Sequence, residues 1–134
     1  MAKIPESVVE AVVGDVSKRM SEPNYAQVAI GTFVQSHPDA GRFITAHLDD
    51  LGGGEGVMHA VFHAQVLDEC FRRHLGRSLT PIGFELLDMA AQNDPVVAFA
   101  KRQPALASYV ASNVDEEPLR KLLALVGVAM DEQS

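Results

Sequence analysis

Seven prolines punctuate the chain, and each stands where an α-helix can begin. Pro5 opens a stretch in which Val8, Val9, Val12, Val13 and Val16 recur at i, i+1, i+4, i+5 and i+8. At 100° per residue that spacing gathers them within about 140° of a helical surface. Ser7, Glu10, Gly14, Ser17 and Lys18 fall on the opposite side. A strand would alternate apolar and polar residues at every second position, and this stretch does not. Sixteen valines therefore do not signal a sheet. The first element reads as a helix over roughly 5–20.

The same grammar repeats to the end. Glu22-Pro23 opens a second helix toward Ser36, and Pro38 a third toward Leu51. A long fourth helix follows from Glu55 to Leu75. Thr80-Pro81 and Asp94-Pro95 each pair a capping side chain with a proline at the first helical position. Pro104 starts another helix, and Asp115-Glu116-Glu117-Pro118 is an acidic start that suits the helix dipole. Leu119, Leu122, Leu123, Val126 and Met130 then line one face of the last helix. The expectation is an all-α chain, a compact bundle of about six to eight helices.

At 134 residues and 14.4 kDa the chain is the size of one domain, 1–134. Hydrophobic residues at 47% are enough for a real core. Acidic residues outnumber basic ones for a net charge of −7, which argues against nucleic acid or an anionic membrane as partner. Cys70 stands alone, so neither an intramolecular disulfide nor a thiolate-only zinc site can form. No apolar run approaches a membrane span, and Glu6, Glu10 and Asp15 interrupt the first apolar stretch where a signal peptide would be continuous. A soluble, cytoplasmic protein is expected.

One self-similarity crosses the chain. Phe33-x4-Pro38-x4-Phe43-Ile44-x2-His47-Leu48-Asp49-Asp50 parallels Phe99-x4-Pro104-x4-Tyr109-Val110-x2-Asn113-Val114-Asp115-Glu116, 66 positions later. A helix–proline–helix corner could produce it by itself; an internal duplication would divide the chain near 1–67 and 68–134 into two helical halves.

Leu51-Gly52-Gly53-Gly54-Glu55-Gly56 is the sharpest discontinuity. Glycine-rich loops can cradle phosphate, but this one follows a helix, lacks a Gly-Lys-Ser/Thr ending and is flanked by Asp49, Asp50 and Glu55. It reads as a helix end and connector, with Gly52 in the left-handed conformation.

The fourth helix carries the residues with most chemistry. Glu55, His59, His63, Cys70 and His74 share one face, and Val57, Ala60, Ala64, Leu67, Phe71 and Leu75 form an apolar stripe beside it. Asp68, Glu69, Arg72 and Arg73, with Gln65, make up the charged and polar remainder. Histidines at i, i+4 can clamp one transition-metal ion, so His59 and His63, supported by Glu55, Cys70 or His74, are the candidate metal ligands. Zinc, iron or a non-covalent haem would be the cofactor. His63 and Cys70 are about 10 Å apart along the axis, so the two pairs need help from elsewhere, for which His37 and His47 are available. Buried or interface histidines satisfied by backbone groups would give the same stripe. Cys70 suits nucleophilic catalysis poorly, because the C-terminal half of a helix and apolar surroundings both disfavour thiolate.

No catalytic order of side chains and no nucleotide fingerprint is legible. The reading is a non-enzymatic protein-interaction or adaptor module, docking a protein partner or a second copy of itself. The rival is a metal- or haem-binding helical protein using the histidine face.

Overall fold

The computed structural model describes residues 3–92 and 94–134. Among them are eight helices and no strand: α1 (Glu6–Arg19), α2 (Tyr25–Ser36), α3 (Pro38–Thr45), α4 (Gly54–Leu75), α5 (Phe84–Gln92), α6 (Pro95–Arg102), α7 (Pro104–Asn113) and α8 (Glu117–Gln133). The all-α expectation holds. None of these helices is long and apolar enough to cross a membrane.

Five prolines sit at helix starts, Pro5 as N-cap of α1 and Pro38, Pro95, Pro104 and Pro118 in the first helical turn. Two expected starts are displaced. Asn24 takes a left-handed φ of 66°, so α2 begins after Pro23, at Tyr25. Thr80-Pro81 opens no helix; α5 starts at Phe84, because the N–H of Ile82 is drawn into a bond with another helix corner. The third helix also ends early, at Thr45, and residues 46–51 form turns instead.

The glycine break is explained by those turns. Gly52 and Gly53 have φ of 83° and 97°, as only glycine accepts comfortably, and their N–H groups bond Asp49 and Leu48 carbonyls within the turn. Gly56 lets the Leu51 carbonyl lie against the first turn of α4, where a Cβ would come within 1.8 Å of it.

α4 and α8 pack on each other at the centre, and α2 on α4 and α6 on α8 are the two most extensive helix pairings. α1 packs on α4 and reaches α7; in the same way α5 packs on α8 and reaches α3. The pattern is therefore symmetric: α1–α4 correspond in order to α5–α8. Phe33 and Phe99, both almost fully buried, end α2 and α6 in the same way. The corner residues that follow, His37 and Gln103, have φ/ψ of −136°/71° and −136°/72°, and each donates its N–H to that phenylalanine's carbonyl at 2.8 Å. Ala40 and Leu106, then Ile44 and Val110, bury the next helix of each half. The expected division at 67/68 would cut through α4; the matching units instead meet in the connector between Leu75 and Phe84.

The corners also hold the halves together. His37 and Gln103 are 1% and 0% exposed, so every polar atom they carry needs a partner. The N–H of Ile82, just before α5, donates to His37 Nδ1 at 3.1 Å, and the N–H of Ile4, just before α1, donates to Gln103 Oε1 at 2.8 Å. Each lead-in segment is thus fastened to the other half. The remaining nitrogen of each corner reaches a buried aspartate of its own half: His37 Nε2 to Asp68 at 3.0 Å, and Gln103 Nε2 to Asp131 at 2.8 Å. Since Nδ1 accepts from a backbone N–H, His37 is the neutral Nε2–H tautomer. Asp68, expected on the charged remainder of α4, is 2% exposed because it receives this bond.

An open cleft on the second half and the histidine face

Aligning Asp68 with Asp131 sets the register of α4 on α8: Ala64 falls on Gly127, Phe62 on Leu125, and His59 on Leu122. The match is close where the core is shared and breaks at one edge. The segment Glu6–Ser36, spanning α1 and α2, has 14- and 12-residue helices, whereas α5 and α6 have 9 and 8. The missing turns are the last of α5 and the first of α6.

In the first half those turns cover α4. The ring of Tyr25, in the opening turn of α2, stands edge-on to Phe62 at 6.4 Å and 89°. Phe62 contacts the His63 imidazole, which packs in turn on Tyr109 of α7, with ring centroids 5.6 and 5.8 Å apart. His63 Nδ1 and the Tyr109 hydroxyl share a 2.8 Å hydrogen bond. Burial, aided by repulsion from His59, holds His63 below its ordinary pKa, and burial pushes the Tyr109 hydroxyl up. Each shift favours the neutral form, as low-dielectric surroundings require.

In the first half a cleft of about 140 Å³ remains, lined in part by Val12, Val16, Tyr25 and Ala29, and among the described residues the second half has no ring in the place of Tyr25. A cleft of about 540 Å³ opens there, with Leu51, Ala91, Pro95, Leu122 and Leu125 as its apolar lining and His47, Asp50, Glu117 and Lys121 as its polar lining. Ala91 and Pro95 are where the shortened α5 ends and the shortened α6 begins. His47 is held at its edge by a tilted ring contact with Phe43, 4.8 Å between centroids, and by a 2.9 Å bond from Nδ1 to the Phe43 carbonyl. The cleft continues along α6 past Asp94, Val96 and Arg120, and Val96 and Val97 are about half exposed there. Exposed valines side by side on a helix, beside an apolar cleft, are the kind of surface a partner covers.

The histidine face expected on α4 is dispersed by the packing. Glu55 and His59 are exposed, His63 is engaged with Tyr109, and His74 is half-buried near the other end of α4. Cys70 is fully buried, with its thiol pushed up to about 12 by desolvation, so it is a neutral core group. The two supplementary candidates are separated as well, His37 in the buried corner and His47 at the cleft. Among the described residues no group of three or more His, Cys, Asp or Glu side chains is placed to hold a metal ion. The His37–Asp68 pair has the composition of a catalytic dyad, but both residues are buried and both imidazole nitrogens are occupied.

Sequence reasoning missed the residues the fold makes most of. His37 was named only as a supplementary metal ligand and Gln103 not at all, although a residue able both to donate and to accept, directly before a proline, was the available signal. The cleft left no such mark, because it arises from turns the second half lacks. No protein-family model, curated protein or solved structure matches the chain.

Proposed function

We propose that the chain is a non-enzymatic protein-interaction module of the cytoplasm, built from two copies of one four-helix unit. Its docking site is the cleft between α5, α6 and α8, and its occupant is a helical segment of a partner protein. The observation that carries this reading is the asymmetry at equivalent positions: Phe62 is covered by Tyr25 from a helical turn, while Leu125 lines a cleft open to solvent. A partner helix would supply the turn the second half lacks and remove Leu125, Val96 and Val97 from water. The duplicated unit is supported by the paired corners, whose dihedrals and bonding pattern repeat in both halves. A free, buried thiol accords with a reducing compartment.

A displayed library of helical peptides, selected on the immobilised protein, tests this directly. Enriched helices should bind the native chain and lose binding to Leu125→Glu, while Met58→Glu, at an exposed position of α4, leaves binding unchanged. Failure to enrich any helix that discriminates Leu125→Glu would contradict the proposal.

A further inference from the structure

Resting on that reading, we infer the chemistry of the partner: a cationic helix that places one aromatic ring on Leu122 and Leu125, with lysine or arginine on either side of it. The aromatic follows from the covered half. The ring of Tyr25 packs edge-on against Phe62 there, and Leu125 is the residue in register with Phe62. The cleft floor is made of leucine, alanine and proline side chains without polar atoms, so a flat ring matches it better than a polar group would.

The charge follows from the rim. Asp50 and Glu117 line the cleft, and neither belongs to an ion pair among the described residues. Asp94 borders its continuation, with Oδ1 accepting from the N–H groups of Val96 and Val97. Of the two basic residues nearby, Lys121 lines the cleft itself, and Arg120 lines the continuation while donating to the carbonyls of Ala111 and Val114. The starts of α6 and α8 add about half a positive charge each, so the lining groups, three carboxylates against two cations, come close to balance and their acidic neighbours set the sign of the field. Asp49, Asp115 and Glu116, all exposed, extend the negative field beside the rim. A helix of positive charge would be drawn in, and an acidic one repelled.

Three synthetic helical peptides of about 16 residues test the inference: one with a central Trp flanked by lysines, one with those lysines changed to glutamate, and one with the Trp changed to alanine. Amide shifts are followed by NMR on the full chain and on Ala91→Trp, which fills the cleft from an exposed position. The lysine–tryptophan peptide should shift Ala91, Glu117, Leu122 and Leu125, bind at least about tenfold more tightly than either control, and weaken at about 0.5 M salt. Ala91→Trp should abolish those shifts. Equal binding of the glutamate peptide, shifts confined to the first half, or no shift at about millimolar peptide would each overturn the inference. So would a dimer of the chain that dissociates on Ala91→Trp, since the cleft would then belong to a second copy. The two readings fail separately: library helices that need Leu125 but are acidic refute only the partner chemistry, whereas no Leu125-dependent helix refutes the docking site itself.

Discussion

The first half of the molecule keeps a cleft of about 140 Å³ between α1, α2 and α4, and the second a much wider one beside α5, α6 and α8. α4 is covered by the long α1 and α2, with Tyr25, Phe62, His63 and Tyr109 in one continuous aromatic contact. α8 meets helices of 9 and 8 residues, and Leu125 borders a cleft of about 540 Å³. The corners are nevertheless the same, to within a degree in φ and ψ. What separates the halves is the length of the helices at their edge, while the packing scheme beneath is unchanged. In the proposed reading one half serves as scaffold and the other binds.

The strongest way to break the comparison is at the corners. His37→Ala leaves the Ile82 N–H and the Asp68 carboxylate buried without their partner and should cost about 3–5 kcal/mol. His37→Gln installs the residue that does the same work at position 103, and should recover all but about 1 kcal/mol of that loss. Denaturant midpoints of the two variants against the native chain decide it. If glutamine is as damaging as alanine, the two corners are not equivalent.

The next test sharpens the comparison at the helix interfaces. Gly127 allows α8 to approach the Phe99 ring, and a Cβ there would lie 2.3 Å from it. Gly127→Ala should therefore cost about 1–3 kcal/mol by overpacking. Ala64, its counterpart on α4, already carries the methyl, and Ala64→Gly should cost about 1 kcal/mol through helix propensity. A neutral or stabilising Gly127→Ala would show that α6 and α8 are held no closer than α2 and α4 are.

The smallest effect belongs to His63. Its pKa is lowered in the fold from an ordinary value of 6.5, mainly by burial. As pH falls through about 6.5 the unfolded chain takes up the proton first, so stability is lost on acidification and levels off once the lowered folded pKa is passed. Measured between pH 8 and pH 5, the native chain should lose more stability than His63→Gln, which keeps a partner for Tyr109 but does not titrate. Identical pH slopes would mean that the covered half gains nothing from keeping His63 neutral.

The helices were legible because valine spacing and proline placement are local signals, and both report periodicity directly. Misplaced starts at Glu22 and Thr80 have a shared cause: Asn24 in a left-handed turn and Ile82 fastened to His37 are decided by what lies across the molecule or by turn geometry. The proposed duplication could be glimpsed only where the spacing of the halves agrees, from Phe33 to Asp50. Different helix lengths before that window and a different connector after it shift the register, which hides the match of Ile4 with Ile82 and of Asp68 with Asp131. The histidine face was a true face of α4, but periodicity cannot tell which neighbours meet it. Tyr109 takes His63, the core takes Cys70, and His59 is left exposed.

The central claim is that the second half alone presents a binding cleft. The most direct measurement is calorimetric titration of a selected partner helix into the native chain and into Ala91→Trp. One helix bound per native chain and none per Ala91→Trp chain is the predicted result. Two helices per native chain, or one still bound to Ala91→Trp, would contradict it.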